Sequence, residues 1–237
     1  MSNSYFRFKQ FTVHQDRAAM KVCTDACLFG AWVAKKIRHA GRVLDIGAGT
    51  GLLSLMYAQE NPEAMIDAIE IDPPAAEQAA QNSDGSSWSS RITIHPIAIQ
   101  QFKPDHTYDL IIANPPFFEN DLRSSNTGRN NAMHDTSLTL EELSGIIPQH
   151  LSPGGQFAVL LPYHRRDHFI TLMNNQQMHP GSGLLVRQSP AHAHFRSILC
   201  FAQQPGNAVQ EEELIIKEGD GYSKEFISLL KEYYLYL

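Results

Sequence analysis

The sequence predicts a doubly wound α/β fold, with a mostly parallel central sheet and an antiparallel strand at its edge. Three observations carry this. From residue 43 onward, short β-rich runs alternate with helical stretches, the pattern of parallel strands joined by crossover helices. A glycine-rich turn, Gly47-Ala48-Gly49-Thr50-Gly51, links the first of those runs to its helix. The last third changes style, with LLVRQS, RSILCFAQ and ELIIK joined by loops, as antiparallel strands completing such a sheet would be.

In chain order, FRFKQFTVHQDRAAMKV holds two short β-like runs around Gln15-Asp16-Arg17. Thr24 or Asp25 can cap the next helix, whose apolar residues Ala26, Phe29, Trp32, Val33 and Ile37 recur at helical spacing. VLDIG is the first core strand, and its helix starts at Leu52. MIDAIEI is the second, with its helix through PPAAEQAAQ; QNSDGSSWSSR reads as a surface loop whose Trp88 packs on the neighbouring helix. RITIHPI and YDLIIAN are further strands, TLEELSGIIPQHL is a helix, and QFAVLLP is a strand after Pro153-Gly154-Gly155. A helix near 163–176 precedes the closing strands. One domain is expected over 1–237, with a β-hairpin-like segment and leading helix over 1–40 and the core over 41–237.

Composition narrows the function classes. Hydrophobic residues make up 43% and charged residues 19%, ordinary for a globular chain. No apolar run approaches the roughly 20 residues that cross a bilayer, so no membrane role is expected. The start, MSNSYFRFKQF, lacks a secretory apolar core, and a cytoplasmic location follows as the expectation. Cys23, Cys27 and Cys200 form no paired framework, and without partners at zinc spacing Cys23 and Cys27 read as buried packing; no metal is expected. His192 and His194 read as loop or strand-edge residues for the same reason. The net charge of −6 conceals an asymmetry: residues 1–42 carry eight basic side chains and two acids, or +6, leaving −12 for the remainder. A positive face beside an acidic body suits a polyanion, although Lys35, Lys36 and Arg38 also suit a solvated helix.

The turn Asp45-Ile46-Gly47-Ala48-Gly49-Thr50-Gly51 lets the backbone approach a ligand and presents a helix N-terminus to it. A dinucleotide fingerprint would need a third glycine at Leu52, so G-x-G-x-G favours a smaller ligand with a carboxylate and an adenosine. Glu70 ends the second strand about twenty residues later, where a carboxylate accepts both hydroxyls of a ribose. Asp72 is its rival and faces away if the strand runs through Ile71.

D-I-G-A-G-T-G followed by Glu70 resembles the seven-stranded, Rossmann-like class I methyltransferases that use S-adenosylmethionine, and D-L-I-I-A-N-P-P-F resembles their motif for methylating amino groups. The resemblance implies S-adenosylmethionine as cofactor, held by Asp45, Gly47, Ala48, Gly49, Gly51, Glu70, Ile71 and Asn114. Ala98 stands where the family has an acid near the adenine, so that base must be read through backbone groups. For catalysis, the Asn114 carboxamide oxygen and the Pro115 carbonyl each accept one hydrogen of an amine, aiming its lone pair at the methyl group. Phe117 stacks on the base, and the prolines fix the geometry in advance.

A wider likeness concerns the polymer. F-T-V-H-Q-D-R-A-A-M-K-V-C-T-D, N-P-P-F-F-E-N, H-D-T-S-L-T-L-E-E-L and G-Y-S-K-E-F-I-S-L-L-K-E-Y-Y-L resemble the bacterial tRNA(1)(Val) adenine-N6-methyltransferases, over nearly the whole chain. This implies tRNA as partner, through the adenosine next to the anticodon, with no obligate protein partner. It implies that Lys21 and Thr24 close the methionine end of the pocket and that Arg7, Lys9, Arg17, Arg123 and Arg129 approach RNA phosphates. A protein glutamine methyltransferase would share the N-P-P step but needs a helical domain for which the 44 residues before Asp45 are too few. A noncatalytic nucleotide-binding module would keep the glycines and Glu70 without N-P-P-F, and a nicotinamide dehydrogenase is opposed by the glycine spacing.

Overall fold

The computed structural model describes residues 3–116, 138–206 and 209–237. The chain opens with a hairpin of β1 (Tyr5–Arg7) and β2 (Thr12–His14), followed by helix α1 (Thr24–Lys36). Then come β3 (Arg42–Ile46), α2 (Leu52–Glu60), β4 (Met65–Ile69), α3 (Pro73–Asp84), β5 (Ile92–His95) and β6 (Tyr108–Ala113). The remainder is α4 (Leu140–His150), β7 (Leu151–Pro162), α5 (Arg166–Asn175), β8 (His179–Arg187), β9 (His194–Ala202), β10 (Gln210–Ile215), a two-stranded ladder of β11 (Lys217–Glu218) and β12 (Gly221–Tyr222), and α6 (Lys224–Leu230).

Among the described residues the central sheet has eight strands in the order β10-β8-β9-β7-β6-β3-β4-β5. All neighbours are parallel except β9, which runs antiparallel to both β7 and β8. The α/β doubly wound class therefore holds, with two changes. β10 adds an eighth strand to the expected seven, and the antiparallel strand sits one place in from the edge. The reason is burial: Ser197–Phe201 of β9 are buried, and backbone groups so enclosed need ladder partners on both sides. The strand that does take the edge, β10, carries Glu211, Glu212 and Glu213, charges that discourage pairing with another chain.

Side-chain alternation divides the core between the two sheet faces. Val43, Leu110, Ile112, Ala158 and Leu160 join one cluster with α1, α2 and α6; Leu44, Ile46, Ile111, Phe157, Val159 and Leu161 join the other with α4 and α5. Capping fixes where helices begin. Asp72 accepts from Ala75 N at 3.1 Å with Pro at the first helical position of α3, and Thr139 with Glu142 forms a capping box on α4.

Several local expectations shift. Both hairpin strands precede Gln15, and beyond it the N–H groups of Arg17, Ala18 and Val22 are met by side chains instead of a ladder. Gln78 Oε1 accepts from Arg17 N and Ala18 N, each at 3.1 Å, and Gln15 Oε1 accepts from Val22 N at 2.8 Å. Neither Thr24 nor Asp25 caps α1: Cys23 is the cap residue, without a side-chain bond, and Asp25 lies in the first turn, paired with Arg196 at 2.7 Å. Cys27 is buried as expected, whereas Cys23, ahead of the first helical turn, is exposed. α3 runs on to Asp84, and the half-buried Trp88 meets Phe11 of the hairpin edge-on at 5.7 Å. His192 and His194 have the loop and strand-edge surroundings expected, bonded to Ser189 and Glu213.

Candidate active site

A cavity of about 410 Å³ opens at the carboxyl ends of β3, β4, β5 and β6. Open parallel sheets bind ligands at that end. Gly47 and Gly49 line it from β3, Glu70, Ile71 and Asp72 from β4, Ile97–Gln100 from β5, and Asn114–Pro116 from β6. Ala19 and Met20 also reach it, as do Leu138 and Leu143.

The glycine turn is held on the neighbouring strand. Gly47 N and Ala48 N both donate to Ile69 O at 2.9 Å, and Gly49 N donates to Glu70 Oε2 at 2.8 Å. Gly49 has φ 56° and Gly51, at the cap of α2, φ 78°, backbone that L side chains rarely adopt. A Cβ at Gly49 would meet no protein atom within 4 Å, so it faces open space beside the cavity. The second oxygen of Glu70 accepts from Asp72 N at 2.9 Å, which fixes the carboxylate in one orientation.

Beneath the turn, Asp45 is fully buried. One oxygen accepts from Ser54 Oγ at 2.7 Å and the other has no hydrogen-bond partner among the described residues. Burial pushes its carboxyl up to about 7 despite the Ser54 hydrogen bonds. At the end of β6, Asn114 Oδ1 is likewise buried and lacks a hydrogen-bond partner among the described residues. An unpaired polar atom at such depth costs stability, and Asn114, unlike Asp45, lines the cavity, where a ligand can supply the missing donor.

The residues singled out from the sequence separate into three groups. Gly47, Gly49, Glu70, Ile71, Ala98, Asn114 and Pro115 line the cavity. Asp45, Ala48 and Gly51 do not; they form the buried support under the turn. Lys21 and Thr24 do not line it either. Lys21 is exposed, its Nζ 3.5 Å from Asn3 O, and Thr24 faces a separate cavity of about 220 Å³ with Phe195 and Tyr222. The pinned segment 15–22 explains this, because it presents Ala19 and Met20 to the cavity instead of Lys21. Arg7 is exposed on β1, Lys9 Nζ donates to Lys231 O, and Arg17 pairs with Glu77 at 2.8 Å. Phe117, Arg123 and Arg129 lie outside the described residues.

Sequence reasoning missed Met20, Gln100 and the role of Gln78. Glutamines at 78 and 100 carry no motif, and only the meeting of α3 with residues 16–18, about sixty positions away, gives Gln78 its meaning. Asp72 was the one further candidate, and it does line the cavity, with its carboxylate committed to capping α3. No group of three or more metal-ligating side chains occurs among the described residues, and no helix there is long and apolar enough to cross a membrane.

Comparison with known proteins agrees with this geometry. The family model for the methyltransferase small domain matches residues 26–170. A tRNA1(Val) (adenine(37)-N6)-methyltransferase of Dyadobacter fermentans is 46% identical over 241 residues, covering 98% of each chain. Its namesake in Bacteroides fragilis is 39% identical over 241 residues, covering 99% of each. A predicted O-methyltransferase of Agrobacterium tumefaciens superposes with a TM-score of 0.67 over 88% of this chain and 96% of its own; at 18% identity that likeness concerns the fold. With relatives this similar along both full lengths, the chain belongs to the tRNA1(Val) (adenine(37)-N6)-methyltransferase family.

Proposed function

We propose that the protein transfers a methyl group from S-adenosylmethionine to the exocyclic N6 amine of an adenosine in tRNA, at position 37 beside the anticodon. The observation that carries this reading is the buried Asn114 Oδ1 beside Pro115, which has no hydrogen-bond partner among the described residues. A hydrogen-bond acceptor held without a donor is suited to receive an N–H from outside.

The cavity's residues fit the cofactor. Each Glu70 oxygen accepts one backbone N–H and keeps a lone pair for a ribose hydroxyl. The apolar side chains of Ile71, Ile97 and Ile99 flank a flat base. When bound, S-adenosylmethionine supplies an electrophilic methyl group on a sulfonium. The protein's own task is orientation: an adenine amine is a weak nucleophile because its lone pair is delocalised into the ring. Asn114 Oδ1 and the Pro115 carbonyl accept its two hydrogens and direct the lone pair out of the ring plane. Pro115 and Pro116 hold those acceptors before substrate arrives, which lowers the ordering left for the transition state.

RNA approaches from the side of the hairpin and the segment that follows it. Arg7 is exposed, and the surface pair of Arg17 with Glu77 is weak enough to be exchanged for a phosphate. Arg123, Arg129 and the stacking ring of Phe117 complete this reading. Adenosine in an anticodon loop is already unpaired, so presenting its edge costs little unstacking. Such an enzyme works in the cytoplasm with its tRNA.

The test is labelled methyl transfer into separated tRNA, rRNA and protein pools, followed by nucleoside analysis. Label is expected in tRNA as N6-methyladenosine; label confined to protein glutamine would overturn the reading. Asn114→Ala should lower transfer by about 100-fold or more while leaving cofactor affinity within a few-fold.

A further inference from the structure

We propose that Gln100 reads the hydrogen-bonding edge of the cofactor's adenine, and so sets the protein's preference for an adenosyl ligand. The inference rests on the methyltransferase reading above and assigns a residue to its base-binding end.

Among the described residues that line the cavity, four carry polar side chains: Glu70, Asp72, Gln100 and Asn114. Three have tasks. Glu70 accepts from Gly49 N and Asp72 N, Asp72 caps α3 through Ala75 N, and Asn114 stands at the end of β6 beside Pro115. Gln100 has no part in holding the site or in orienting the amine, and its carboxamide makes no hydrogen bond to any described residue. It lies in the single turn Ile99–Gln101 after β5, beside Ala98, whose methyl group offers a base nothing polar.

Strand order assigns the place. Across the carboxyl ends the sequence is β6, β3, β4, β5, which sets Asn114, the glycine turn, Glu70 and Gln100 in a row. Three strand spacings separate the ends of that row, roughly 14 Å. A ligand whose reactive carbon meets Asn114 and whose ribose meets Glu70 must extend its base toward β5. There Ile97 and Ile99 supply apolar walls, and Gln100 supplies an acceptor and a donor on one planar group. Adenine presents the complementary pair, an N6 amino donor beside the N1 acceptor, so one carboxamide can make two bonds to it.

The test pairs a residue change with a ligand change. Calorimetry measures S-adenosylhomocysteine and its analogue with hydrogen in place of the 6-amino group, on the full-length wild type and on Gln100→Ala. Gln100 is exposed and bonded to nothing described, so the variant should unfold at the wild-type temperature. Gln100→Ala is expected to weaken S-adenosylhomocysteine by about 10-fold, and loss of the amino group should cost the wild type a similar factor. In Gln100→Ala, loss of the amino group should cost less than about 3-fold, because its partner is already gone. Two results would overturn the proposal while leaving the methyltransferase reading intact: affinity of the variant within about 2-fold of wild type, or an equal amino-group penalty in both proteins. If the wild type binds neither ligand, the methyltransferase reading falls and takes this inference with it.

Discussion

Replacing Asp45 by Asn should alter how stability depends on pH, in the direction set by the burial of its carboxyl. Asp45 is fully buried, and its carboxyl is raised to about 7 because burial disfavours the charged form. In the unfolded chain an aspartate titrates near about 3.9. The folded protein therefore holds this proton more tightly than the unfolded chain does. The stabilisation is fully present below about pH 4 and is lost as pH rises to about 7. Three units at about 1.36 kcal/mol each give about 4 kcal/mol across that window, with no discount for solvent because the group is fully enclosed. Asn cannot ionise, and its carbonyl still accepts the Ser54 hydroxyl. Its NH2, however, would replace the unpaired Oδ1 with an unpaired donor, a cost of about 1–3 kcal/mol at every pH. The two stability curves should therefore cross: Asp45→Asn is the less stable protein near pH 4.5 and equals or exceeds wild type near pH 8. Urea denaturation at intervals between those values gives the difference directly. A difference constant to within about 0.5 kcal/mol across the range would refute the reasoning, since it would mean Asp45 titrates as in the unfolded chain.

Two further substitutions probe the frame of the site. Gln78→Ala removes the acceptor for Arg17 N and Ala18 N and the donor to Asp16, which is 2.7 Å away, so the segment presenting Ala19 and Met20 to the cavity loses its anchor. Thermal unfolding should show a loss of about 2 kcal/mol, and steady-state kinetics a cofactor KM raised by about 10-fold with kcat nearly unchanged. Glu70→Gln leaves one oxygen for two backbone donors and sets an NH2 against the other, so calorimetry with S-adenosylhomocysteine should show affinity reduced by about 10- to 100-fold. Wild-type affinity in that variant would remove Glu70 from the ribose role.

The sequence by itself determined the strand–helix alternation, the glycine turn, Glu70 at the end of its strand and the stiff Asn114-Pro115-Pro116 step. Each is encoded within a few residues, by side-chain periodicity, by glycines where φ is positive, or by prolines that stop a strand. Tertiary structure decided what depends on residues distant in the chain. The place of β9 between β7 and β8 follows from enclosing a buried strand on both sides, which LLVRQS and RSILCFAQ do not state separately. Thr24 and Lys21 stand close in sequence to Met20, yet the Gln78 and Gln15 hydrogen bonds send only Ala19 and Met20 to the cavity. Asp45 could be read as part of a ligand-binding motif, but its unpaired oxygen and raised carboxyl arise only once Ser54 and the packed sheet surround it. Local pattern fixes which residues are offered to a site, whereas burial and long-range hydrogen bonds fix which of them face the ligand and which carry the strain of holding it.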